Sequence, residues 1–136
     1  MKIVLDTNVL LGSLRRGSVL RPIWDAFLRG DFTLVVSNEI LNEYQEIIER
    51  QTRPEIGSNV INAILERPNV QKQAIYYRFD LLTADPDDNK FVDCALASNA
   101  HFLVSDDRHF RVLKTLDHPK INLLTADEFL ILLEKK

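Results

Sequence analysis

Ile3-Val4-Leu5-Asp6-Thr7-Asn8-Val9-Leu10-Leu11-Gly12-Ser13-Leu14 changes its periodicity at Asp6. The three aliphatic residues before the acid read as a strand buried on both faces, the kind found in parallel sheets. From Asn8 to Leu14 the pattern is helical, and the acid stands at the junction. Strand, acid, helix is the repeating unit of an open α/β sheet. The unit recurs. Thr33-Leu34-Val35-Val36 is followed by Ser37-Asn38, whose side chains cap helices, and then by Ile40, Leu41, Tyr44, Ile47 and Ile48 on one stripe. Phe102-Leu103-Val104 is followed by Ser105-Asp106-Asp107, and Ile121 to Leu124 predicts a last strand before a helix from Ala126 to Leu133.

Between these lie a helix through Ile23, Trp24, Phe27 and Leu28 that Gly30 ends, and one through Val60, Ile61, Ile64 and Leu65 that Pro68 closes. Ala74 to Phe79 reads as a short strand. Asp85-Pro86 opens a helix through Asn99, with Asp85 as N-cap and Pro86 at the first helical position, and Arg108 to Leu113 reads as a short helix. The expected fold class is α/β with a central, mostly parallel sheet, in one domain over residues 1–136.

The chain has 136 residues, 46% of them hydrophobic and 27% charged, with four Gly and five Pro, which excludes a disordered, collagenous or low-complexity protein. Cys94 is its one cysteine, so no intramolecular disulfide and no thiolate zinc cluster can form, and a reducing compartment fits. Asp6 arrives too early for a signal peptide, and no apolar run approaches the roughly 20 residues that span a bilayer; a soluble, cytoplasmic protein is expected. The 17 basic residues against 20 acidic give a net charge of −3, which at first argues against a nucleic-acid partner. The charge is segregated, however: Lys2, Arg15, Arg16, Arg21 and Arg29 face only Asp6 and Asp25 within residues 1–30.

Ligands of an open α/β sheet bind outside the carboxyl ends of its strands, where connections change direction. Asp6 and Asp106-Asp107 follow such ends. On the helix after the second strand, at about 100° per residue, Glu39, Asn42 and Glu46 lie opposite the apolar stripe and Glu43 lies at its edge, either a solvated boundary residue or an acid turned inward. Asp88 shares the inward face of its helix with Phe91, Val92, Ala95 and Asn99, whereas Asp87 and Asp93 point away from it. Asp6, Glu43, Asp88 and Asp107 are then four carboxylates gathered around one point, where they repel one another unless a hard cation joins them. All-oxygen ligation selects Mg²⁺ or Mn²⁺, which suits hydrolysis of a phosphodiester.

These residues, in this order, resemble the PIN-domain ribonuclease family. The resemblance rests on Leu5-Asp6-Thr7-Asn8-Val9-Leu10, Ser37 with Glu43, Asp85-Pro86-Asp87-Asp88-Asn89-Lys90-Phe91 with Ala95, Val104-Ser105-Asp106-Asp107-Arg108-His109-Phe110, and Leu124-Thr125-Ala126-Asp127-Glu128-Phe129. It covers nearly the whole chain and looks like the branch of toxin components of bacterial and archaeal toxin–antitoxin systems. It implies a Rossmann-like αβα sandwich and a Mg²⁺- or Mn²⁺-dependent endoribonuclease acting on single-stranded RNA. Asp6, Glu43, Asp88 and Asp107 match the family's acidic quartet, as catalytic residues and metal ligands. Asn8 and Ser105 match its polar companions, and Ser37 stands near them. Asp106 departs from the family's small or polar residue, so either Asp106 or Asp107 faces the metal. The resemblance further implies an antitoxin partner and a homodimer.

Arg15, Arg16 and Arg21 are either RNA contacts or a solvated helix end. His101, His109 and His118 lack the spacing of a zinc site and read as surface or capping residues. Cys94 reads as a structural thiol, and Trp24, Phe27 and Leu28 as core or dimer contacts; Tyr76 and Tyr77 have no assignment. Two rivals remain. Asp6-Thr7-Asn8 also resembles the start of a haloacid-dehalogenase-like phosphatase with Asp6 as nucleophile, although Asn8 replaces its expected general acid. The other is a non-catalytic module that binds nucleic acid or a protein partner.

Overall fold

Residues 1–135 are described by the computed structural model. β1 (Lys2–Leu5), β2 (Thr33–Val36), β3 (Val70–Lys72), β4 (Phe102–Val104) and β5 (Leu123–Leu124) form one sheet in the order β3-β2-β1-β4-β5, with every neighbouring pair parallel. The aliphatic runs read as doubly buried strands are so: Ile3, Val4, Leu34, Val35, Leu103 and Val104 are inaccessible to solvent. Among the described residues, six α-helices complete the α/β architecture: α1 (Thr7–Leu14), α2 (Arg21–Arg29), α3 (Asn38–Gln51), α4 (Pro54–Glu66), α5 (Asn89–Ser98) and α6 (Ala126–Glu134). Helix α5 packs on β1, β2 and β4, while α3 touches α1, α4 and α5. Among the described residues no helix is long and apolar enough to cross a membrane.

The strand order places the change of direction between β1 and β4. The chain runs from β1 outward through β2 to β3, then returns to the other side of β1 as β4. Register pairs Leu5 with Val104, so the residues immediately beyond them, Asp6 and Ser105, leave the sheet side by side. The Asp6 amide donates to the Val104 carbonyl at 2.9 Å, extending the ladder by one bond before α1 begins.

Three local expectations change. Residues 74–79 are not a strand: the sheet's third strand is Val70–Lys72, and the chain beyond it runs as an irregular strap, with Asp80 at φ 50°. Asp85 does not cap a helix with its side chain; Pro86–Asp88 is a 3-10 turn that feeds α5 at Asn89. The segment after Asp107 is also 3-10, over Arg108–Thr115, rather than an α-helix. Asp93, on a side of α5 away from the face Asp88 shares, is nevertheless 2% exposed, and its Oδ1 accepts the Phe79 amide of the strap.

Candidate functional site

Asp6 is held by the same local rule that starts α1. As N-cap it takes the Thr7 amide on Oδ1 at 2.7 Å, satisfying one of the helix's unpaired donors. Its Oδ2 accepts a hydrogen bond from Ser105 Oγ at 2.7 Å. That hydroxyl in turn accepts from the Asp107 amide at 3.0 Å, so one serine at the end of β4 fixes both acids relative to each other. Burial pushes the Asp6 carboxyl up to about 6; the bonds from Ser105 and Thr7 oppose the rise, and the charges of Glu43 and Asp107 add to it.

Glu43 turns inward. Its Oε2 accepts from Thr7 Oγ1, and its Oε1 pairs with Lys90 Nζ at 2.6 Å, both side chains being mostly buried. The neighbouring Tyr44 fixes the rotation of α3: its buried hydroxyl donates to the Leu5 carbonyl at 2.6 Å, at the end of β1. Asp88 is set by the turn before α5. Its Oδ2 is buried, and among the described residues nothing hydrogen-bonds to it. Its carboxyl is pushed up to about 7, first by burial and then by the charges of Asp6, Asp85, Asp107 and Glu43.

The adjacent acids after β4 divide. Asp107 turns toward Asp88, and its Oδ1 accepts the His109 amide at 2.9 Å with His109 Nδ1 at 3.3 Å. Asp106 turns away and takes the Ala126 amide at 2.8 Å, at the start of α6. Asp85, Asp88, Asp107 and His109 each offer a ligand atom within 4.8 Å of the others. Asp85 and His109 were absent from the expected set. The turn that carries Asp88 and the 3-10 turn after Asp107 bring them in, and neither turn has a periodic signature. Three carboxylates and an imidazole, with one carboxylate oxygen buried and unpaired, fit a divalent cation: a buried, unsatisfied oxygen costs about 1–3 kcal/mol, and a ligand bond removes that cost.

The remaining expected residues make other contacts or face solvent. Ser37 caps α3 through the Ile40 amide at 3.2 Å. Asn8 is exposed on α1, and Arg16 is exposed beyond its end. Arg21 ties α2 to α1, donating to the Leu14 carbonyl at 2.6 Å and pairing with Asp25 at 3.1 Å. Arg15 borders an apolar groove lined by Leu11, Leu14, Trp24, Ile48 and Val60, away from the acids. Cys94 is buried and its thiol is pushed up to about 12 by burial, which leaves it inert as a nucleophile at neutral pH.

A family model described as PIN domain matches residues 2–109. No curated protein matches the sequence. Among solved structures, the chain is similar to VapBC2 from Rickettsia felis bound to a DNA fragment from its promoter, at 18% identity and a TM-score of 0.65, over 92% of this chain and 98% of that one. VapC20 of Mycobacterium tuberculosis, a sarcin-ricin loop cleaving toxin, is similar at 13% identity and a TM-score of 0.59, over 81% and 93% of the two chains. DNA-bound VapBC from Salmonella typhimurium is similar at 18% identity and a TM-score of 0.59, over 93% and 98%. At these identities the likeness is one of fold.

Proposed function

The chain belongs to the PIN domain family, and from that premise we propose that it is a divalent-metal-dependent endoribonuclease of single-stranded RNA, acting as the toxin of a toxin–antitoxin pair. One observation supports this most: carboxylates from the ends of β1 and β4, from α3 and from the turn before α5 converge where the sheet changes direction, with Asp88 Oδ2 buried and unpaired. Asp88 and Asp107, with Asp85 and His109 whose ligand atoms lie within 4.8 Å of theirs, would hold the cation, and Asp6 and Glu43 would complete the acidic site beside it. Bound Mg²⁺ or Mn²⁺ supplies Lewis-acid activation of the phosphodiester and a lowered pKa for water.

The protein's own contribution is preorganisation. Thr7 and Ser105 fix the Asp6 carboxylate, so its charge needs no rearrangement when a phosphate arrives. Glu43, steadied by Thr7 and Lys90, is the acid that orients the attacking water and takes its proton as the 3′ oxygen leaves. Lys90 offsets one negative charge in a cluster that would otherwise repel the phosphate. The partner reading rests on the Rickettsia and Salmonella relatives, which are VapBC assemblies.

Incubation of end-labelled single-stranded RNA with Mn²⁺ tests the activity. The wild type should cut it, EDTA should stop the cut, and Asp6→Asn or Asp88→Asn should lower the rate at least about 100-fold, the scale on which positioned charge and acid–base groups act. A small phosphomonoester should be left intact. Turnover of that ester by an Asp6-dependent route, with RNA untouched, would reverse the assignment.

A further inference from the structure

The strap over residues 73–82 carries three aromatic rings for which the catalytic reading has no use. Tyr76 is 94% exposed, Tyr77 66% and Phe79 36%. The rings of Tyr77 and Phe79 stand 4.6 Å apart, edge to face. Rings of this size normally bury most of their surface, so a display of three in water needs a reason.

The strap is not loose. Arg78 donates to Glu39 at 2.7 Å, and the Phe79 amide donates to Asp93 Oδ1 at 3.0 Å. Asn89 clamps Leu82 on both sides, accepting its amide at 2.8 Å and donating to its carbonyl at 3.0 Å, while the Leu82 side chain is buried in the core. The side-chain partners lie on α3 and α5, the helices that begin beside the acids, and the Gln73 amide donates to the Val36 carbonyl at 2.7 Å, at the end of β2. Glu39 is one turn before Glu43, and Asn89 directly follows Asp88. The rings are therefore presented on a fixed backbone at the rim of the sheet where the carboxylates gather.

What the rings would receive follows from their setting. Arg78 lies between Tyr77 and Phe79, and Lys72 lies four residues before Tyr76, along an irregular stretch of chain that also holds Ile75 and Asp80. Exposed aromatic faces alternating with cations are the means by which proteins hold single strands, because an unpaired base offers a free face and a base inside a duplex does not.

We propose that Tyr76, Tyr77 and Phe79 form a stacking platform for unpaired bases flanking the scissile phosphate, a specificity element that rests on the ribonuclease reading above. The platform selects single-stranded over paired RNA without reading its sequence.

The test is fluorescence anisotropy of a labelled oligouridine in EDTA, for the wild type, Tyr76→Ala/Tyr77→Ala and Tyr76→Phe/Tyr77→Phe, with cleavage in Mn²⁺ measured in parallel. Both tyrosines are exposed, and matching melting temperatures check that the variants fold. The alanine pair should bind about 10- to 100-fold more weakly and raise KM rather than lower kcat, while the phenylalanine pair stays within about threefold of wild type. If the alanine pair binds as wild type does, or if phenylalanine fails to rescue, the platform is wrong and the nuclease reading stands. If the alanine pair instead changes only the oligomeric state, the rings are a protein contact and the proposal falls. If wild type neither binds nor cuts RNA, the nuclease reading falls and takes the platform with it.

Discussion

Asp88→Asn should make the metal-free protein more stable while removing its response to metal. Burial and the surrounding acids hold the Asp88 carboxyl at about 7 against an ordinary 3.8. A carboxyl whose pKa is higher in the folded than in the unfolded chain costs nothing below about pH 4, and its cost grows as pH rises through 7. The full difference would amount to roughly 4 kcal/mol for a wholly buried group. Asp88 is only half-buried, and solvent screening brings the figure to about 1–2 kcal/mol. Asn removes the charge and places an amide donor among acceptors. Melting in EDTA at pH 8 should therefore rise by about 4–8 °C. The gain should shrink to roughly half by about pH 5 and vanish below about pH 3, where the wild-type carboxyl is protonated in both states. Mn²⁺ at about 100 times its dissociation constant should stabilise the wild type by about 2.7 kcal/mol and the variant by far less, so the order of melting temperatures inverts. A variant less stable than wild type in EDTA at pH 8, or an advantage independent of pH, would refute the account of Asp88 as an uncompensated buried acid.

Asp106 and Asp107 should separate cleanly: Asp106→Ala costs about 1 kcal/mol in urea unfolding, by loss of the bond to the α6 amide, and leaves Mn²⁺ affinity unchanged in calorimetry, whereas Asp107→Asn lowers that affinity at least about tenfold. Ser105→Ala removes a hydrogen bond that holds the Asp6 carboxyl down, so its pKa climbs further above about 6 and the acidic limb of Mn²⁺ binding moves to higher pH; an unmoved limb would contradict the serine's role. Asn89→Ala leaves the Leu82 amide and carbonyl unpaired at a cost of about 2–3 kcal/mol, and hydrogen exchange should speed up in the strap before it does in the sheet.

The parts of the site that could be read from the sequence are those set by periodicity. Asp6 and Asp107 follow buried strands, and strand ends of a parallel sheet are where such residues meet. Asp88 lies on an apolar face, and an acid there is anomalous on sight. Glu43 stood at the stripe's edge with two readings, and the decision depended on Tyr44 reaching the Leu5 carbonyl, a contact 39 residues apart. The burial of Asp93 has a different origin: the helical wheel turns it away from the face of Asp88, and no pattern announces that a strap will lie over that side. The strap itself alternates Ile75, Tyr77 and Phe79 as a strand would. It lacks a ladder partner because β2 already pairs with Val70–Lys72. The division of labour between Asp106 and Asp107 was equally invisible, because it depends on where the first turn of α6 comes to rest.

The hydrogen bond between Ser105 and Asp6 joins residues 99 positions apart. During synthesis at about 5–20 residues per second, Asp6 therefore leaves the ribosome roughly 5–20 seconds before the residue that aligns it with Asp107 is even made. Half of the acid set exists early, but it has no companion strand beside β1 until β4 arrives. A chain broken off between Asp88 and β4 carries Asp6, Glu43 and Asp88 without the strand that brings Ser105 and Asp107 beside them. A nuclease centre of the kind proposed would then stay incomplete until β4 is made, and fragments that end short of β4 would lack it.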